Sequence, residues 1–305
     1  MTKVTGRMAV LLTLPPLLWA GNAVVGRMMV GSVPPLALNA MRWLLAGLLL
    51  LPLGWRLVGR REGRLQIARR WRELALLGFL GVGCYNAFQY LALTTSTPLN
   101  VTLIAASSPL WMMGIGALFY GVRPRGREWL GAALSLAGVL AVLSRGDAAA
   151  LARVHFVTGD LLMLVAVATW AFYSWLLARP PASMRGEARP PWNWAELLLV
   201  QTLFGGLFAC IAAGGEAALT GAQVHGSPGV MLALAYVAVG PSLIAYRCWG
   251  LGVAAVGPAV AAFFANLTPL FAALLSTALL GEAPQPYHGA AFALIVAGIA
   301  VSARR

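Results

Sequence analysis

The chain has 305 residues, of which 60% are hydrophobic and only 10% are charged. A soluble domain carries about 25% charged residues, so this composition excludes a soluble globular protein. The net charge of +13 does not indicate a nucleic-acid partner, because the basic residues lie in short connections between apolar runs. Apolar runs of about 20 residues, long enough to cross a hydrocarbon core, recur along the whole chain. We therefore predict a multi-pass protein whose partner is the lipid bilayer.

Ten apolar runs are predicted to be membrane spans, with ends set by Arg, Pro and Gly clusters. The first five are placed at residues 8–29, 35–55, 73–93, 97–120 and 128–145. The second five are placed at residues 157–178, 195–214, 229–251, 256–280 and 286–303. Their length and glycine content fit helices better than the alternating strands of a barrel. The predicted fold class is an all-α polytopic membrane protein with ten transmembrane helices.

The basic residues predict an orientation. Seventeen of the 22 Lys and Arg residues lie at the two termini and in every second connection, whereas three lie on the opposite side. Basic residues near span ends stay in the cytoplasm. Both termini are therefore predicted to be cytoplasmic and residues 221–227 to lie outside, with the protein in the cell (inner) membrane.

An internal repeat divides the chain into residues 1–150 and 151–305. A shift of 160 residues places Pro109 on Pro269 and Gly138 on Gly298, and a shift of about 151 places Trp19 on Trp170. Such self-similarity indicates two copies of a five-span unit. Because five is odd, the second copy enters the membrane inverted. Inverted repeats are typical of secondary transporters, whose substrate site lies near the bilayer midplane between the halves.

Short motifs from both halves carry a family resemblance. They are residues 18–22 (LWAGN), Pro34-Pro35 ahead of Arg42, 159–162 (GDLL), 169–171 (TWA), 267–270 (LTPL), 281–284 (GEAP) and the 289–298 segment of the last span. Over essentially its whole length the chain resembles the EamA-type branch of the drug/metabolite transporter superfamily. The resemblance implies a ten-span exporter of small metabolites, including amino acids. The first half departs from the pattern at Val122, which stands where the second half has Glu282.

Pro109 and Pro269 occupy matching positions near the middle of spans four and nine. Proline removes a backbone donor and clashes with the preceding turn, so each is predicted to bend its span, free a carbonyl and act in gating. Ser108 and Asn266 offer polar groups at the same depth and are candidate substrate ligands. In the alternative interpretation, the hydroxyl groups only repair the broken hydrogen-bond ladder.

Aromatic and amide side chains cluster in the other central spans. The candidate substrate-binding residues there are Trp19, Asn22, Tyr85, Asn86, Gln89, Trp170, Tyr173 and Tyr246. Residues three or four apart share a helix face, so these side chains would form a neutral, aromatic, hydrogen-bonding pocket. Tyr and Trp near span ends also form interfacial belts, so the pocket interpretation applies to the midspan residues.

Two arginines fall inside spans, where a charge is costly and usually functional. Arg42 lies about seven residues into span two and is expected to snorkel outward. Arg247 lies deeper in span eight and is a candidate contact for a substrate carboxylate. All nine acidic residues fall in connections or at span ends. The cargo is therefore expected to be a neutral or zwitterionic small molecule.

Catalysis finds little support in the sequence. The three histidines lie in connections or at span ends, and the three cysteines have no metal-ligand spacing, so we expect no catalytic residue, metal or cofactor. A membrane-embedded lipid-linked transferase and an exporter of drug-like or sugar-linked solutes remain the alternatives. The sequence leaves open the substrate, the coupling ion and whether the protein forms a homo-oligomer.

Overall fold

The computed structural model describes residues 5–29, 31–152, 155–280 and 285–303, and these residues form helices and connections without a strand. The α-helices of the first half are α1 Gly6–Met28, α2 Pro35–Gly59, α3 Arg61–Arg69, α4 Trp71–Gly78, α5 Tyr85–Thr95, α6 Pro98–Ala106, α7 Ser108–Tyr120, α8 Gly126–Leu143 and α9 Ala148–Ala152. Those of the second half are α10 Thr158–Ala178, α11 Trp194–Thr220, α12 Pro228–Val237, α13 Ala245–Val256, α14 Pro258–Ala265, α15 Leu267–Leu280 and α16 Pro286–Ala303.

The number of membrane crossings agrees with the prediction. Within the described ranges, nine helical stretches are long and apolar enough to cross a membrane, and the pair Asn100–Ala106 and Ser108–Tyr120, bent by 42°, brings the number to ten. The all-α fold of two inverted five-helix repeats is therefore confirmed. The largest shift of a boundary is at α11, which runs past the predicted end at residue 214 to Thr220. The motif at residues 281–284 lies outside the described residues.

The N-terminus of α2 is capped by a side chain of α11. Helix α2 begins with Pro35 at its first position, and the next two amides, of Leu36 and Ala37, donate to the Glu216 carboxylate of α11 at 3.0 and 3.1 Å. A carboxylate at a helix N-terminus pairs with orphan donors and with the helix dipole. Glu216 therefore fixes the start of span two against span seven.

Spans five and ten, which the repeat makes equivalent, pack through glycine. A Cβ placed on Gly131 would lie 2.8 Å from the Gly298 carbonyl oxygen, and one on Gly298 would lie 2.7 Å from the Gly131 carbonyl oxygen. A Cβ on Gly138 would meet the Ala291 carbonyl oxygen at 2.8 Å. Small residues let membrane helices approach until their backbones touch. This contact between α8 and α16 joins the two halves.

Spans three and eight each contain a π-helical segment. Phe79–Cys84 joins α4 to α5, and Ala238–Ile244 joins α12 to α13. The two segments occupy equivalent positions of the repeat, 160 residues apart at Gly81 and Pro241. A π segment widens the helix and leaves carbonyl groups without their ordinary partner, and such segments are frequent at functional sites. The sequence did not predict them.

Asp160 ties the first turn of α10 to the connection between spans three and four. Its carboxylate, which is 1% exposed, accepts hydrogen bonds from the Ser96 hydroxyl, from Asn100 Nδ2 at 2.8 Å and from the Val157 amide at 2.8 Å. A buried carboxylate with three donors is a stable arrangement, and removing it takes an acceptor from each of the three. Asp160 thus has a structural role at this end of the bundle.

We predict that Asp160→Ala lowers the free energy of unfolding by about 1–3 kcal/mol, because three donors, two of them in buried bonds, lose this acceptor. The measurement is the midpoint of thermal unfolding of the purified protein in detergent. Asp147→Ala is the matched control, since the Ala149 amide, at 2.9 Å, is the only donor to this exposed carboxylate among the described residues. Equal midpoints for the two variants would contradict the structural role of Asp160.

Candidate functional site

A cavity of about 130 Å³ lies between the two halves of the chain. The first half lines it with Trp19, Asn22, Tyr85, Asn86, Gln89, Val101, Thr102, Ala105, Ala106 and Ser108. The second half lines it with Trp170, Tyr246, Ala265, Asn266, Thr268, Pro269 and Ala272. The predicted candidates Trp19, Asn22, Tyr85, Asn86, Gln89, Ser108, Trp170, Tyr246, Asn266 and Pro269 thus come together around one space.

Trp170 is the centre of the aromatic wall. Its ring centroid lies 5.4 Å from that of its repeat equivalent Trp19, edge to face, and 5.3 Å from that of Tyr85. The rings of Tyr246 and Trp249 each lie 5.4 Å from it. Edge-to-face and tilted pairs at these distances are attractive and hold each ring in place. The wall is therefore a rigid aromatic surface built from both repeats.

In each of the two π segments, a carbonyl group accepts a hydrogen bond from an aromatic side chain of the opposite half. The Tyr246 hydroxyl donates to the Gly81 carbonyl oxygen, and Trp19 Nε1 donates to the Pro241 carbonyl oxygen at 3.3 Å. An unpaired carbonyl in hydrocarbon costs several kcal/mol, so these bonds stabilise the breaks in helix geometry. They also orient Tyr246 and Trp19, because each ring has a fixed anchor. The same two hydrogen bonds therefore hold the cavity wall in place and stabilise the helix breaks.

The proline positions differ between the two halves. Pro109 has no amide hydrogen for the Ala105 carbonyl oxygen, which accepts from a backbone N–H at the end of α6 and from the Ser108 hydroxyl at 2.5 Å. The Ser108 hydroxyl group therefore repairs the ladder, as the alternative interpretation held, although the residue lines the cavity. Span nine breaks at Asn266 without a comparable bend, and Asn266 Nδ2 donates to Ser135 Oγ at 2.9 Å.

The snorkelling expectation for Arg42 is wrong. Its side chain is 1% exposed, and its guanidinium donates to Ser242 Oγ at 2.8 and 3.0 Å. The Nη1 group donates to Asn22 Oδ1 at 3.3 Å and to Asn86 Oδ1 and the Tyr90 hydroxyl at 3.1 Å. Distance from a span end did not decide the direction of the side chain, because polar acceptors from spans one, three and eight draw it inward.

Three of the predicted site residues lie elsewhere. Tyr173 packs behind the wall, with its hydroxyl donating to Gln201 Oε1 at 3.0 Å. The Arg247 guanidinium lies 5.1 Å from the centroid of the Trp194 ring, away from the cavity lining. Pro109 lines a separate apolar crevice with Trp129 and neighbouring residues. The structure does not bring these three side chains to the cavity.

Sequence reasoning missed Tyr90 and Ser242 as members of the polar cluster at Arg42. A signal for Tyr90 was present, because Asn86 and Tyr90 are four apart and share the helix face that carries Arg42's partners. Ser242 had no such signal. It reaches the cluster only because the π segment of span eight turns it inward, where its hydroxyl donates to the Val237 carbonyl oxygen at 2.7 Å.

Comparison with known proteins gives consistent results over the whole chain. The chain is 28% identical over 286 residues to the uncharacterized inner membrane transporter YedA of Escherichia coli K12, covering 92% of this chain and 85% of that protein. It is 25% identical over 292 residues to the aromatic amino acid exporter YddG of Ancylobacter novellus, covering 94% and 93%. An uncharacterized transporter of Archaeoglobus fulgidus is 27% identical over 289 residues, covering 95% and 94%.

A solved crystal structure matches the fold with a TM-score of 0.71 at 23% sequence identity, covering 97% of this chain and 96% of the other. The EamA-like transporter family matches the chain twice, at residues 6–144 and 157–304. These two matches cover nearly the entire sequence and coincide with the two five-span units. The chain therefore belongs to the EamA-like transporter family and is a membrane transporter.

Proposed function

We propose that this chain exports small metabolites, specifically amino acids including aromatic and other neutral ones, across the cytoplasmic membrane by alternating access. The observation that carries the proposal is the cavity lined by aromatic and amide side chains from both halves. Flat rings provide surface for an apolar side chain, and amide groups provide hydrogen bonds for a polar backbone. The relative named as an aromatic amino acid exporter supports the same substrate class.

The size of the cavity supports a small cargo. At about 130 Å³ it is well below the roughly 300–1,000 Å³ of pockets that bury drug-sized ligands. A drug-like or sugar-linked solute would need the walls to separate before it could enter. An amino acid is closer to the available space, which favours the amino-acid assignment over these alternatives.

Alternating access is proposed to use the two units, residues 1–150 and 151–305, as the moving bodies. Helices α6 and α7, on either side of the 42° break, are attached to opposite ends of α10. Asn100 of α6 bonds Asp160 at 2.8 Å, and the Met112 carbonyl of α7 accepts from Trp175 Nε1 at 2.8 Å. The break at Ser107 is thus positioned to absorb a change of angle between the ends.

For the orientation, we propose that both termini are cytoplasmic. The exposed arginines Arg56, Arg60 and Arg125 lie at the membrane end that also holds residues 179–193. The opposite end, near residues 221–227, carries fewer arginines, among them Arg145. This distribution supports a cytoplasmic location for the arginine-rich end.

We predict that Gln223→Cys, in a background lacking Cys84, Cys210 and Cys248, reacts with an impermeant maleimide in intact cells. Glu187→Cys is the matched variant at the other end and is expected to react only after lysis. Both residues are exposed in connections or short 3₁₀ turns, so access depends on the side of the membrane. The reverse labelling pattern would overturn the orientation.

A second prediction concerns Gln89, whose amide lines the cavity and has no hydrogen-bond partner in the described part of the chain. Gln89→Ala should weaken the apparent affinity for a transported amino acid by about fivefold, the effect of one lost hydrogen bond. The measurement is uptake into proteoliposomes over a range of substrate concentrations. Gln223→Ala, at an exposed amide, is the control. Unchanged affinity in Gln89→Ala would remove Gln89 from the site.

A third prediction concerns Pro109. Pro109→Leu supplies an amide donor to the Ala105 carbonyl and should straighten span four, slowing exchange about tenfold with near-normal binding. Exchange and equilibrium binding of the same labelled amino acid are compared. Pro228→Leu is the control, because Pro228 follows the non-helical connection 221–227, so no helical turn before it is broken by the proline. Equal losses of binding and exchange would mean that Pro109 shapes the pocket and does not serve as a hinge.

A further inference from the structure

The charge on Arg42 is not neutralised by the residues around it. All five hydrogen bonds that its guanidinium makes in the described part of the chain end on neutral oxygens, those of Ser242, Asn22, Asn86 and Tyr90. Arginine stays protonated under all ordinary conditions. The side chain is 1% exposed, so water does not screen the charge as it would at the surface. A full positive charge therefore acts on the space beside it.

None of the acidic residues that the structure describes is among the hydrogen-bond partners of Arg42. The eight acidic residues in the described ranges lie in connections or near helix ends, at positions 62, 73, 128, 147, 160, 187, 196 and 216. Asp160 is held by Ser96, Asn100 and Val157, and Glu216 by Leu36 and Ala37. Both carboxylates are thus committed to helix ends. The positive field of Arg42 extends to the cavity without an opposing carboxylate from these residues.

Arg42 also determines how two cavity amides are turned. An arginine side chain has only donors, so the amide atom that faces it must be the oxygen. Asn22 Oδ1 accepts from Arg42 at 3.3 Å and from the Tyr90 hydroxyl at 3.4 Å, which leaves Nδ2 as the remaining polar group of Asn22. This Nδ2 has no partner among the described residues. Because Asn22 lines the cavity, Arg42 makes it a donor toward the cargo.

Asn86 is turned in the same way. Its Oδ1 accepts from Arg42 at 3.1 Å, which leaves Nδ2 as its remaining polar group. Hydrogen bonds in a chain polarise one another, so an amide whose oxygen is bonded to a guanidinium becomes a stronger donor at its nitrogen. The cavity therefore presents polarised N–H groups beside a buried positive charge at one end, and aromatic rings elsewhere.

We propose that this cluster of Arg42, Asn22 and Asn86 is a carboxylate-recognition site, and that the carrier requires a carboxylate on its cargo but no amine. The inference rests on the proposed export of amino acids and makes it more specific. Asn22 and Asn86 would contact the carboxylate directly, whereas Arg42, which does not line the cavity, acts as a positioning residue that supplies charge and orients both amides. A ligand with an amine alone would meet donors and a positive field, which disfavour it.

The test compares four ligands that share one aromatic ring. They are L-phenylalanine, 3-phenylpropionate, L-phenylalaninamide and phenethylamine, each competing with labelled L-phenylalanine for uptake into proteoliposomes of the wild-type protein. We expect the two carboxylates to compete well and the amide and the amine to compete about 10- to 100-fold less well, the effect of losing a charge-assisted hydrogen bond. Equal competition by all four ligands would overturn the proposal.

Variants test the source of this preference. Arg42→Gln should remove most of the difference between the carboxylate and the amine, and Asn22→Asp should reverse it, because the new carboxylate pairs with Arg42 and repels the cargo's carboxylate. The Asn22→Asp variant retains Arg42, so it remains informative if Arg42→Gln fails to fold. Arg72→Gln removes an exposed arginine outside the cavity and should keep the wild-type ranking. A wild-type ranking in both Arg42→Gln and Asn22→Asp would contradict the assignment.

The same panel separates failure of this inference from failure of the proposed function. A carrier that transports 3-phenylpropionate but no amino acid would overturn the proposed cargo and support the carboxylate site. A carrier that transports L-phenylalanine and phenethylamine equally well would support the proposed cargo and overturn the carboxylate site.

Discussion

A backbone polar group in hydrocarbon must find a partner, and this constraint shapes the centre of the protein. The π segments of spans three and eight and the break at Pro109 interrupt the regular ladder where no water from the lipid side can replace it. At each interruption a side chain donates a hydrogen bond to a carbonyl oxygen. Tyr246 donates to Gly81 and Trp19 to Pro241. Ser108 donates to Ala105. Three of the residues that line the cavity, Trp19, Ser108 and Tyr246, therefore also stabilise the helices around it.

The two repeats contribute unequally to this centre. Gly81 and Pro241 are equivalent acceptors, and Trp19 and Trp170 are equivalent rings in direct contact, 5.4 Å apart. The donors and charges are not equivalent: Arg42 comes from the first repeat only, and its amide partners Asn22 and Asn86 belong to the same repeat. An approximately symmetric scaffold can rock between two states, whereas an asymmetric site can bind its cargo in one orientation. The repeated scaffold is proposed to supply the first property, and the polar cluster at Arg42 the second.

Much of this architecture follows from local sequence. Ten apolar runs, the shift between Trp19 and Trp170 and the position of Gly138 against Gly298 predicted the inverted repeat, since length and periodicity are local properties. The π segments were not predictable, because glycine-rich runs such as residues 81–83 are equally compatible with an ordinary helix. The burial of Arg42 was not predictable either, since it depends on which face of span two meets spans one, three and eight. Arg247 is deeper in its span than Arg42, yet it packs on Trp194, which shows that depth alone does not indicate a binding role.

Cargo is proposed to occupy the space between the repeats. Protection of a cysteine on each side of that space tests it directly: Ala105→Cys in the first repeat and Ala272→Cys in the second, each in a background without native cysteines, reacting with a small thiol reagent in the presence or absence of L-phenylalanine. Ala133→Cys, in the separate apolar crevice, reports reactivity away from the cavity. Binding in this space predicts that the amino acid slows the reaction at positions 105 and 272 and leaves position 133 unchanged. Protection at only one of the two cavity positions, or at neither, would contradict it.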